Sequence, residues 1–128
     1  MRTLKNIRRF RLSDVFIEPY KTQEVPWGPL GYVTFKRTYA RRLEEFEPGA
    51  SGTEEWWQTC RRVIEGTFNM QKEHVALLGL EWNDNKAQRT AKDAYGRLFN
   101  LKWTPPGRGL WMMGTKFVEE RTAAGLFN

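Results

Sequence analysis

A mainly α-helical domain with one short β element is the fold class this sequence predicts, and three observations carry the prediction. Apolar residues recur at spacings of three and four over two long stretches, Trp56 to Phe68 and Ala87 to Leu101. Proline and glycine punctuate the chain between and beyond them. A single run, Leu110-Trp111-Met112-Met113 with Phe117, is apolar without alternation and bounded by glycines, the pattern of a strand buried on both faces. Such a strand needs neighbours, and little else in the chain reads as sheet.

The elements follow in chain order. Leu4, Ile7 and Phe10, with Leu12 close behind, fall at a spacing near three among arginines and predict a short amphipathic helix, which Ser13-Asp14 breaks or recaps. Val25-Pro26-Trp27-Gly28-Pro29-Leu30-Gly31 reads as a stiff turn, because proline locks φ and glycine supplies conformations that other residues avoid. Tyr32-Val33-Thr34-Phe35 is β-prone, while a basic helix from Thr34 through Arg42 fits the same residues nearly as well. Pro48-Gly49-Ala50-Ser51-Gly52 is the clearest loop.

Thr53 is then a good N-cap, with Glu54 and Glu55 placed to suit the positive end of the helix dipole. Trp56, Trp57, Cys60, Val63, Ile64 and Phe68 mark the buried face of that helix, and Arg61, Arg62 and Glu65 are expected to face solvent. Gly66 weakens its middle, so two helices meeting near Asn69 are a second reading. Asn83-Asp84-Asn85 announces the next helix, whose stripe is Ala87, Ala91, Tyr95, Leu98 and Leu101, and Thr104-Pro105-Pro106-Gly107 ends it. Small residues at Ala87, Ala91 and Ala94 permit close helix approach.

Composition narrows the function. A chain of 128 residues, 40% hydrophobic and 28% charged, is one domain's worth of ordinary globular sequence. Eight Phe, six Trp and four Tyr need a core or a partner. One cysteine, Cys60, excludes an internal disulfide, and no apolar run approaches the roughly 18 residues of a membrane span, so a reducing, cytoplasmic setting is expected. With one histidine, His74, and one cysteine, neither a zinc site nor a Cys-His nucleophile pair can be assembled from this chain. His74 reads as a surface residue at a helix end and Cys60 as a small core residue.

The net charge of +6 is clustered, with Arg2, Lys5, Arg8, Arg9 and Arg11 at the start and Lys36, Arg37, Arg41 and Arg42 further on. Two readings stand: a surface for a polyanion, or a solvated face diluted by Glu44, Glu45, Glu47, Glu54 and Glu55. Pro106-Gly107-Arg108-Gly109 could aim backbone amides and a guanidinium at one anion, or form a bare structural turn, and it matches neither the P-loop nor the dinucleotide fingerprint. Gly114-Thr115 places an amide beside a hydroxyl at the end of the expected strand, where ligands of barrels and open sheets commonly sit.

Three stretches together have a further meaning: Pro26-Trp27-Gly28-Pro29-Leu30-Gly31-Tyr32-Val33-Thr34-Phe35-Lys36-Arg37-Thr38-Tyr39-Ala40-Arg41, Arg61-Arg62-Val63-Ile64-Glu65-Gly66-Thr67-Phe68-Asn69, and Thr104-Pro105-Pro106-Gly107-Arg108-Gly109-Leu110-Trp111-Met112-Met113-Gly114-Thr115. In this order they resemble the amino-terminal region of the adenosylcobalamin-dependent (class II, monomeric type) ribonucleoside-triphosphate reductases. The resemblance implies a helical N-terminal cap region over 1–102, and over 103–128 a turn and the first strand of a ten-stranded α/β barrel whose remainder is not in this chain.

It implies reduction of ribonucleoside triphosphates by a thiyl radical generated with adenosylcobalamin in the parent enzyme, none of it bound by this chain alone. A thioredoxin-type reductant and the rest of the barrel are the implied partners, with no membrane. The catalytic cysteines fall outside the chain, which ends at Phe127-Asn128 where the first of them is due; a split gene, a truncated frame or an intein would each produce that ending. Arg108, Gly114 and Thr115 are the implied substrate-binding residues, near the triphosphate. On this reading the chain alone is inert and, with its strand unpaired, poorly soluble. The competing reading is a small basic helical protein that binds nucleic acid, although no helix-turn-helix, zinc-finger or ribonucleoprotein motif accompanies it.

Overall fold

A computed structural model describes residues 8–116 as a helical unit built on two packed helices. The helices are α1 (Asp14–Ile17), α2 (Gly28–Thr38), α3 (Trp56–Leu77), α4 (Asp84–Phe99) and α5 (Gly107–Met112), with single 3₁₀ turns at Glu18–Lys21 and Leu43–Glu45. No strand occurs among the described residues; the nearest approach is one antiparallel bridge between Arg42 and Thr53.

The frame is α3 against α4. Helix α3 begins two residues later than its sequence predicts, because Thr53 is held in the bridge and Glu55 takes the N-cap in a reciprocal capping box with Gln58. It runs unbroken through Gly66, so the two-helix reading does not hold. Helix α4 starts where expected, with the Asn83 side chain accepting from the Lys86 amide at 3.1 Å. Its stripe of Ala87, Ala91, Tyr95 and Leu98 is buried, and it stops at Phe99, several residues ahead of Pro105-Pro106.

Aromatic groups fill the space around this pair. Tyr20 stands edge-on to Tyr95 and Phe99, with ring centroids 4.8 Å away in each case. Trp27, Phe35 and Trp56 form a second cluster at 4.8 to 5.3 Å, and the Trp56 indole N–H donates to the Phe99 carbonyl at 3.0 Å. Most of the aromatic load is thus consumed internally.

Three expectations are corrected. Residues 8–13 have no regular element: Phe10 and Leu12 are buried while Arg9 and Arg11 are exposed, the first described helix begins after Ser13, and Leu4 and Ile7 of the expected helix lie outside the described residues. The turn expected at Val25 to Gly31 is shorter, since Gly28 at φ +66° and Pro29 start α2, where a missing N–H costs nothing. Leu110, Trp111 and Met112 are helical, not a strand. Leu110 is buried and Trp111 is 45% exposed, so the run is one-sided, and Phe117 lies outside the described residues.

Candidate functional site

On α3, Arg61, Arg62, Glu65, Gly66 and Asn69 share one side at helical spacing. Each reaches the backbone of a segment remote in sequence, or touches it. The Asn69 side chain accepts from the Phe10 amide at 2.7 Å and donates to the Phe10 carbonyl at 3.1 Å, so it takes the place of a neighbouring strand. Glu65 accepts from the Leu12 amide at 2.8 Å, and Arg61 donates to the Leu12 carbonyl at 2.9 Å. Arg61 also pairs with Asp14 at 2.7 Å and holds its carboxyl below the usual range by hydrogen bonding and charge.

Arg62 fastens the other end of the chain. Its guanidinium donates to the carbonyls of Leu110 at 2.7 Å and Met113 at 2.6 Å, and lies 2.9 Å from the Glu54 carboxylate. The Glu54 carboxylate also accepts from the Thr59 hydroxyl and the Arg41 amide, both at 2.9 Å, so its oxygens are well satisfied although the residue is buried. Arg61, Arg62 and Glu65 were expected to face solvent; all three are engaged here because the acceptors and donors they meet are main-chain groups far away in sequence.

Gly114 closes the clasp. It adopts φ +80° against the Arg62 backbone, and a Cβ on Gly66 would come within 2.6 Å of Gly114 Cα. Glycine at Gly66 therefore serves close approach, which explains its place in the middle of α3.

The residues implied to bind substrate do not converge. Arg108 is exposed on α5 and has no ion-pair partner among the described residues. Thr115 is buried and its hydroxyl donates to the Met112 carbonyl at 2.7 Å. Gly114 lines a groove of about 580 Å³ together with Arg9, Arg11, Trp57, Arg61 and Asn69, and neither Arg108 nor Thr115 borders it. Gly107 lies close against the Tyr39 ring. Cys60 is fully buried and burial pushes its thiol well up, so it is a core residue; His74 is exposed in the last turn of α3.

Much of the positive charge is neutralised within the unit, by Arg41 with Glu45 at 2.5 Å, Lys36 with Glu55 at 3.1 Å and the two arginines of α3. No group of His, Cys, Asp and Glu suited to a metal occurs among the described residues. No described helix is long and apolar enough to cross a membrane.

A helical unit whose two ends are tied to one helix by a Arg-Arg-x-x-Glu-Gly-x-x-Asn clasp matches a known domain, the ribonucleotide reductase alpha domain, over residues 12–115. The chain belongs to that family. It is 39% identical over 96% of its length to a probable adenosylcobalamin-dependent ribonucleoside-triphosphate reductase of Dictyostelium discoideum, and 38% identical over 98% of its length to the adenosylcobalamin-dependent enzyme of Euglena gracilis. A crystal structure of a B12-dependent (class II) ribonucleotide reductase superposes with a TM-score of 0.73 at 34% identity, covering 88% of this chain. The chain spans only 15% and 17% of the two relatives and 15% of the solved chain.

Proposed function

We propose that this chain is the N-terminal helical portion of an adenosylcobalamin-dependent enzyme that reduces ribonucleoside triphosphates to 2'-deoxyribonucleoside triphosphates, its catalytic cysteines lying outside the chain. The observation that carries the reading is the agreement of fold and sequence with a solved class II reductase over 88% of the chain. The alternative of a basic nucleic-acid-binding protein has no comparable support, since many of its cations are engaged within the unit.

Adenosylcobalamin supplies the radical in such an enzyme, and the described residues do not form its site. The groove of about 580 Å³ holds the Arg61–Glu65 and Arg62–Glu54 pairs, already satisfied by one another, and among the described residues the one buried polar side-chain atom without a partner, Gln88 Oε1, is not in its lining. Cofactor contacts therefore belong to the remaining polypeptide. Residues 1–102 form the helical region and 103–128 lead toward the barrel. Arg108 contacts the nucleotide phosphates, supported by its exposed guanidinium, which has no ion-pair partner among the described residues, with Gly114 and Thr115 in the turn that follows near the triphosphate. A thioredoxin-type reductant and a cytoplasmic setting complete the assignment.

The test is a chimera in which this chain replaces the matching segment of the Dictyostelium discoideum relative. It should reduce ribonucleoside triphosphates when given adenosylcobalamin and a dithiol, whereas the 128-residue chain alone should not. A folded chimera without activity would refute the reading.

A further inference from the structure

Helix α5 has six residues, too few to hold a helical conformation unaided, and it is flanked by Pro105-Pro106 and, one residue past its end, by Gly114. Of its residues only Leu110 is buried. One buried leucine does not fix how a helix is turned, nor how far along α3 it sits.

Arg62 supplies both restraints. Its Nε and one terminal nitrogen grip the two oxygens of Glu54 at 2.9 and 3.0 Å. The same terminal nitrogen donates to the Leu110 carbonyl at 2.7 Å, and the other to the carbonyls of Met113 at 2.6 Å and Trp111 at 3.4 Å. All five guanidinium N–H groups are thereby committed. Glu54 serves α5 a second time, because it accepts from the Arg41 amide at 2.9 Å and the Arg41 guanidinium lies 4.2 Å from the Trp111 ring centroid. Stability does not require this arrangement, since a well-packed apolar pair of similar volume often serves as well or better. An apolar pair could not select particular carbonyls, so the buried charges define a position.

We propose that Arg62, anchored by Glu54, is a positioning residue for nucleotide binding: it places α5 and the turn after it so that Arg108 meets the phosphates of the ribonucleoside triphosphate. This role rests on the phosphate-contact reading of Arg108 given above. Arg108 stands two residues before Leu110 on the same short helix. Gly114 rests on the Arg62 backbone, where a Cβ would come within 2.4 Å of the carbonyl oxygen. Loosening the guanidinium therefore releases the segment on both sides of its grip, and misplacing a substrate-orienting group by about 1 Å can cost up to about a hundredfold.

Arg62→Lys in the Dictyostelium discoideum chimera tests this. Lysine keeps the charge beside Glu54 but carries its donors on one nitrogen and cannot reproduce the fork. The KM for ribonucleoside triphosphates should rise about tenfold while kcat changes by less than about twofold, because binding is lost and the chemistry is not. Arg108→Ala should raise KM about as much, and the double variant little more than either, because the lysine has already withdrawn Arg108. Glu54→Gln, which keeps Arg62 and weakens its anchor, should raise KM in the same sense and serves if the lysine variant does not fold. Leu98→Ala, which empties a fully buried site on α4, should lower the melting temperature at least as far and leave KM within about twofold.

An unchanged KM for Arg62→Lys, in a chimera where Arg108→Ala raises it, overturns the positioning role alone. Effects that multiply in the double variant also overturn it, as does a rise in KM for Leu98→Ala equal to that for Arg62→Lys, since lost stability would then explain both. Arg108→Ala without effect on KM defeats the phosphate reading, and a folded chimera without activity defeats the functional reading. Should the chimera not fold, lysine and alanine at the positions matching Arg62 and Arg108 in the intact Dictyostelium discoideum relative carry the same cycle, with the same outcomes deciding.

Discussion

Replacing Arg62 by methionine removes the clasp between α3 and α5 while keeping most of the side-chain volume. The guanidinium is surrounded by the Glu54 carboxylate at 2.9 Å and the carbonyls of Leu110 and Met113 at 2.7 and 2.6 Å, with only 5% of the side chain exposed. Its loss leaves Glu54 as a buried charge, although the Thr59 hydroxyl and Arg41 amide still donate to it. Breaking a buried pair from one side costs about 3–5 kcal/mol, a large share of the roughly 5–15 kcal/mol that holds a domain together. The melting temperature should fall by about 10–20 °C. Adding Glu54→Gln should return about 1–3 kcal/mol, because an amide oxygen can still accept from Thr59 and Arg41 without a charge. Urea and thermal unfolding followed by circular dichroism measure both variants. If Arg62→Met costs under about 1 kcal/mol, or if the second substitution makes matters worse, the buried-pair account is wrong.

Three other outcomes are expected. Gly114→Ala should destabilise by about 2–4 kcal/mol in the same unfolding assay, since φ +80° and the contact with the Arg62 backbone leave no room for a methyl group. Asn69→Leu should free the backbone of Phe10, costing about 1–3 kcal/mol and speeding exchange of the Phe10 amide ahead of those in α4. Stability should decline as pH rises above about 9, the ordinary thiol range, because burial raises the Cys60 pKa in the fold and only the unfolded chain ionises there. The stabilisation is complete below that pH and is lost at about 1.4 kcal/mol per unit above it, a slope that Cys60→Ala should remove.

Helix α4 was legible from the sequence because its signals are local: a capping asparagine, a period of 3.6 and small residues on the packed face. The run at Leu110 was misread because four apolar residues in succession fit a buried strand or a one-sided helix equally well. Arg62 decides the matter by taking the Leu110 and Met113 carbonyls, a contact 48 to 51 residues away that no window over the run contains. Arg61, Arg62 and Glu65 were placed toward solvent for the same reason, since charge favours exposure unless a distant partner exists. Their spacing beside the buried stripe, together with the downstream Asn69, was the available signal. Family membership was readable because the three stretches that carry it are continuous in sequence.

Asn69 and Arg62 fasten opposite ends of the described chain within two turns of α3. Tension applied between the flanking polypeptides would therefore travel through this short length of one helix and bypass the interface of α3 with α4. Under load the clasp should part first, and only afterwards would the force pass into the two-helix frame.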